Sequence, residues 1–202
     1  MNVITFEFVA AALLMELTPG PNMTWLALLS MRQGRRTGVR AVVGIALGLA
    51  LLAIIAAAGL APLLTAYPLV YEALRWAGVL FLLYLAVEAW RGEKSQSAKE
   101  DSSQGRQFQK GLILNLLNPK AASVFVVLIP GFVVGEAARL VPTLFLSAVY
   151  VAIATSVHLT IVVFAGGFHQ ALSNPRRETL VRRTFAILLA GVAIWFAANT
   201  DR

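Results

Sequence analysis

Between Ala41 and Ala66 the chain carries no charged side chain. That run can cross the hydrocarbon core of a bilayer, which needs about 20 mostly apolar residues. Five further stretches qualify or nearly qualify. Val3–Ser30 carries only Glu7 and Glu16. Tyr71–Trp90 has Glu72, Arg75 and Glu88 near its ends. Gly111–Val134 holds a single charge, Lys120. Leu140–Phe168 holds no Asp, Glu, Lys or Arg but includes His158. Thr184–Thr200 is short and uncharged. Soluble helices would interrupt such runs with a polar face every three to four residues, and these runs are not so interrupted. The chain reads as all-α, a polytopic membrane protein with six transmembrane helices. Composition agrees: 58% of residues are hydrophobic and 13% charged, against about 45–50% and about 25% in soluble domains. A disordered chain, a nucleic-acid-binding domain and an ordinary soluble enzyme are excluded. The first stretch does not read as a cleavable signal peptide, because its start lacks positive charge and no small-residue cleavage site follows a short apolar core.

The formal net charge of +7 is explained by position. Arg32, Arg35, Arg36 and Arg40 lie between the first two apolar runs. Arg91, Lys94, Lys99, Arg106 and Lys110 lie between the third and fourth, and Arg176, Arg177, Arg182 and Arg183 between the fifth and sixth. The positive-inside rule places these three stretches, 32–40, 91–110 and 176–183, in the cytoplasm. Both termini then face outward if all six runs cross. If the first folds back at its break, five cross and the N-terminus is inside. Residues 93–110 form the one polar linker of any length, a cytoplasmic loop between halves 1–92 and 111–202. A three-span unit duplicated after three spans must be inverted, an arrangement common in secondary transporters. Pro19 and Pro119 stand 100 residues apart. The same shift carries the second run into the fifth, while the third needs about ten residues more to meet the sixth, by hydropathy register alone.

Two of the six runs are broken. In the first, Pro19 and Pro21 cannot donate to the carbonyls of Met15 and Leu17, and Gly20 between them removes steric restraint. The helix should unwind there, with Asn22 capping a second half-helix that runs to about Ser30. In the fourth run Pro119 frees the carbonyl of Asn115, and Asn118 and Lys120 bring an amide and an ammonium toward the bilayer centre. Lysine there costs about 2.5–3.5 kcal/mol, so Lys120 needs a partner. Glu16 lies at a similar depth. One reading is a plain Glu16–Lys120 ion pair; the other is that these charges meet a zwitterionic substrate or a coupling proton. His158 is either a packing histidine or a proton relay. Gly44 and Gly48 permit close helix packing or close backbone approach to a substrate path. Tyr84, Trp90, Trp76 and Tyr150 belong to the interface or to a cavity. No cysteine, no metal-ligand cluster and no cofactor-binding motif is present, so no metal or cofactor is expected.

The motifs Thr18-Pro-Gly-Pro-Asn22, Arg32-Gln-Gly-Arg-Arg-Thr-Gly38, Gly44-x-x-x-Gly48, Leu74-Arg-Trp-Ala-Gly78 and Asn115-Leu-Leu-Asn-Pro-Lys-Ala121 occur in this order. The chain resembles the LysE/RhtB family of bacterial inner-membrane amino-acid exporters. The resemblance covers residues 3 to about 198. It implies proton-driven efflux, no enzymatic activity, and signature positions at Pro19, Gly20, Pro21, Asn22, Asn118, Pro119 and Lys120, to which Asn115 is added as substrate-binding. Glu16 and His158 are the candidates for proton coupling. Exporters of basic amino acids tend to carry an aspartate just after the second glycine of the second span; Leu49 stands there instead. A small neutral substrate, homoserine- or threonine-like or leucine-like, is expected. The partners are then the amino acid, protons and the bilayer, with a homodimer as a further candidate and no nucleic acid. The alternative is an inorganic or metal ion transporter of similar topology.

Overall fold

Proline and glycine set the element boundaries, as the two breaks require. The computed structural model describes residues 6–18, 20–60, 67–91, 100–133, 140–168 and 175–199, and the regular structure among them is helical. Helix α1, Phe6–Leu17, ends at the first break. Helix α2, Pro21–Ile55, starts with a proline in its first turn, where the missing N–H costs nothing. It runs on into a π-turn, Ala56–Leu60. Helix α3 spans Pro68–Arg91 and α4 spans Glu100–Leu116. After the second break come α5, Pro119–Ser123, a π-turn at Val124–Leu128, and α6, Ile129–Phe132. Helices α7, Leu140–Gly167, and α8, Pro175–Asn199, complete the bundle.

Helix α2 is two helices joined at a kink. Gly34 has φ 80° and ψ 171°, backbone open almost only to glycine. Residues eight apart on a straight helix are about 12 Å apart, yet a Cβ on Gly38 would collide with Ser30 Oγ. Asn22 and Leu49 line one cavity. The chain therefore turns back at Gly34, giving two arms, 21–33 and 35–55. The stretch 32–40, expected as a loop, is helical on both sides of this single residue. Likewise, the expected linker is helical from Glu100 onward; its portion 93–99 lies outside the described residues.

Packing explains both. A Cβ on Gly44 would strike the carbonyl oxygen of Phe108, and one on Gly111 that of Ala41. The second arm of α2 and α4 therefore pack backbone to backbone, the close approach that small residues allow. The same α2 also packs on α7, while α3 pairs with α8. Arg75 ties that pair, donating to the Ala197 carbonyl and to Glu72 Oε1 at 3.1 Å.

The bundle inverts the soluble pattern. Leu80, Val127, Phe164, Ile187 and Ile194 are exposed, whereas Glu16, Asn22, Asn115, Asn118 and His158 are buried. A soluble protein would not hide acid and amide groups beneath an apolar surface. Among the described residues, two helical stretches are long and apolar enough to cross a membrane: Pro21–Ala58, which includes the turn at Gly34, and Leu140–Gly167. The pair Gly105–Leu116 and Lys120–Phe132, bent by 57°, makes a third candidate.

Candidate functional site

The two breaks, nearly a hundred residues apart in the chain, meet in space. Lys120 Nζ donates to the Thr18 carbonyl at 2.6 Å. A helix broken at Thr18–Gly20 leaves carbonyls without an amide partner, and at membrane depth these need a donor or a cavity. The ammonium of the other broken run supplies one. Gly20 makes room for it: a Cβ there would stand 3.2 Å from Lys120 Cδ.

The second contact between the breaks joins two amides. Asn22 Nδ2 donates to Asn115 Oδ1 at 2.8 Å. Both residues are buried, and the outer atoms of the pair, Asn22 Oδ1 and Asn115 Nδ2, have no hydrogen-bond partner. The expected cap at Asn22 is corrected by this geometry. Pro21 holds the first turn of α2 and Gly20 takes the cap position, so Asn22 falls inside the helix and its amide is released toward Asn115. Asn118 does cap: its Oδ1 accepts from the Lys120 backbone N–H at 3.0 Å as α5 begins at Pro119. The Asn115 carbonyl accepts from the Asn118 N–H at 3.1 Å, so a tight turn takes up the group that Pro119 frees.

Glu16 closes the opposite wall. It is 6% exposed, accepts a hydrogen bond from the Tyr150 hydroxyl, and faces His158 Nε2 at 3.5 Å. The direct Glu16–Lys120 ion pair that the sequence permits is replaced by these contacts: each charge takes another partner. Tyr150 and His158 lie on α7 two turns apart with Ala154 between them, all three buried. That spacing puts them on one face, the signal by which Tyr150 could have been assigned to the cavity.

Together these groups surround a cavity of about 300 Å³ lined by Glu16, Gly20, Asn22, Asn115, Lys120 and His158, among others. It presents one carboxylate, one ammonium, a half-used amide pair and a histidine. The GxxxG glycines divide their work. Gly44 serves helix packing, whereas a Cβ on Gly48 would stand 2.8 Å from Asn115 Nδ2, so Gly48 lets Asn115 sit where it does. Pro21 is buried at the same junction. Pro19 lies outside the described residues. Among the described residues, no three His, Cys, Asp or Glu side chains gather as metal donors.

A helical bundle with an apolar exterior and a charged interior built on broken helices is an integral membrane protein. Residues 13–200 match the family described as LysE type translocator, and the chain belongs to that family. It is a bacterial-type membrane transporter and not an enzyme. It is similar, at 32% identity, to an uncharacterized membrane protein of Pseudomonas aeruginosa, with 96% of this chain and 95% of that protein covered. It is also similar to proteins named homoserine/homoserine lactone efflux protein. The one from Salmonella typhimurium is 24% identical and the one from Salmonella typhi 23%, each with 96% of this chain and 95% of the relative covered. No solved structure matches.

Proposed function

We propose that the protein exports small neutral amino acids, or close derivatives such as homoserine and its lactone, across the bacterial inner membrane by proton-coupled alternating access. The observation that carries this reading is the meeting of the two helix breaks around one cavity that holds both Lys120 and Glu16. A zwitterion needs a cation for its carboxylate and acceptors for its ammonium. Lys120 suits the first. Asn22 Oδ1, a buried acceptor without a partner, and Glu16 suit the second. Binding at broken helices is how many secondary transporters hold charged substrates. Leu49 lines the cavity where an acid would be wanted for a second cationic group, which favours a neutral side chain. The names of the Salmonella relatives point the same way.

In this reading α1 with the first arm of α2 is span one, the second arm is span two, and α3 is span three. The broken run α4–α6, then α7 and α8, form an inverted second half. Basic groups gather at one end: Arg35 donates to the Val163 carbonyl at 3.0 Å, and Arg183 lies over Trp90 at 5.5 Å. Arg75 and Ala197 mark the other. The basic end is cytoplasmic by the positive-inside rule, and Glu16 with His158 carries the proton.

A growth panel tests the substrate class. Expressed in a bacterium challenged with single amino acids or dipeptides at inhibitory concentration, the protein should raise tolerance to homoserine, threonine or leucine and leave tolerance to lysine and arginine unchanged. Membrane-inserted protein that protects against none of them contradicts the proposal.

A further inference from the structure

A second polar cleft, about 390 Å³ counting the space open to solvent, lies at the basic end of the bundle and shares no lining residue with the first. Its polar wall comes from three helices. Arg32 and Gln33 stand on the first arm of α2, Glu88 on α3, and Gln107 and Lys110 on α4. Lys110 Nζ donates to both Glu88 carboxylate oxygens, at 2.6 and 2.7 Å. That engages two of its three hydrogens and leaves the carboxylate with spare lone pairs. Gln107 is 4% exposed; its Nε2 donates to Gln33 Oε1 at 3.3 Å, and its Oε1 is buried with no hydrogen-bond partner. A bare buried acceptor bears its full desolvation penalty unless a donor arrives.

The chemistry selects the donor. A simple anion would face Glu88, and a simple cation would face Lys110 and Arg32. A molecule with both signs a few ångströms apart meets neither objection: its carboxylate takes the remaining Lys110 hydrogen and the Arg32 side, and its ammonium takes Gln107 Oε1 and Glu88. We propose that this cavity is a second binding site for a zwitterionic α-amino acid, an entry site that loads the transporter from its basic end. The inference rests on the export reading given above.

The test uses the full chain in inverted membrane vesicles, with labelled L-homoserine as probe. Gln107→Met keeps the side-chain length and removes the acceptor Oε1 together with the Nε2 donor to Gln33; Gln33→Met, which removes that donor's partner and leaves Gln107 Oε1 in place, is the control and should keep the wild-type KM. In Gln107→Met, KM for uptake from the cytoplasmic face should rise about tenfold, the loss of one hydrogen bond to a charged group, with maximal rate unchanged. KM measured from the opposite face in right-side-out vesicles should stay at the wild-type value. The double variant Glu88→Gln with Lys110→Gln removes both charges together, stranding neither, and should raise the cytoplasmic-face KM further. A wild-type KM at both faces in Gln107→Met, or an equal rise at both faces, overturns the second site. A wild-type chain that moves neither homoserine nor any other amino acid in either direction contradicts the export reading instead.

Discussion

Lys120→Ala is expected to lower amino-acid export by roughly 100-fold, the upper end for a lost hydrogen bond between charged groups, while leaving the protein folded in the membrane. Fold and function separate here because of how Lys120 is held. Its one hydrogen bond from Nζ goes to the backbone carbonyl of Thr18, not to a carboxylate. Truncation therefore breaks no direct ion pair, and Glu16, which shares the cavity, keeps the Tyr150 hydroxyl and His158 as partners. It also removes an ammonium that costs about 2.5–3.5 kcal/mol at a membrane helix centre. A residue kept at that cost without an ion-pair partner is best explained by a ligand. Homoserine counterflow in vesicles, paired with size-exclusion profiles in detergent, checks both halves of the expectation. Wild-type flux in the variant would return Lys120 to a purely structural bridge between the breaks.

The second large effect concerns coupling. Glu16→Gln keeps size and can still meet the Tyr150 hydroxyl, but it cannot carry a proton on and off. Downhill exchange should persist and uphill export should fail. One pH unit is worth about 1.36 kcal/mol, or tenfold in concentration for one-to-one exchange. Wild-type inverted vesicles with an acid interior one unit below the bath should therefore accumulate substrate about tenfold. Glu16→Gln vesicles should stop at equal concentrations. Accumulation at the wild-type level by the variant would move the proton path away from Glu16 and His158, which now face each other at 3.5 Å.

Much of this arrangement was legible in the sequence. Hydropathy located the apolar runs, and proline chemistry located both breaks, because each depends on local composition alone. The cost of charge in a bilayer singled out Glu16, Lys120 and His158 before any contact was known. What hydropathy does not carry is the rotation of each helix about its axis, and partner choice depends on that rotation. So Lys120 found a carbonyl instead of Glu16, and Asn22 paired with Asn115 instead of capping. Tyr150 turned inward to Glu16, although aromatic composition equally suited an interfacial place. Glu88 and Lys110, assigned to a helix end and a linker, form an ion pair at 2.6 Å. The turn between the arms of α2 was hidden for a different reason. Polar composition over 32–40 reads as a loop, yet the reversal needs only one residue at positive φ, and Gly34 provides it.

Substrate is expected to sit where the two breaks meet. The chain has no cysteine, so a single Met23→Cys variant carries one thiol, and Met23 lines that cavity. The measurement is the rate at which N-ethylmaleimide labels this thiol in vesicles that still transport homoserine, with and without saturating homoserine. With substrate bound between the breaks, homoserine slows labelling at least several-fold, and lysine at the same concentration has no effect. A labelling rate unchanged by a substrate that the same vesicles still carry would place the binding site elsewhere.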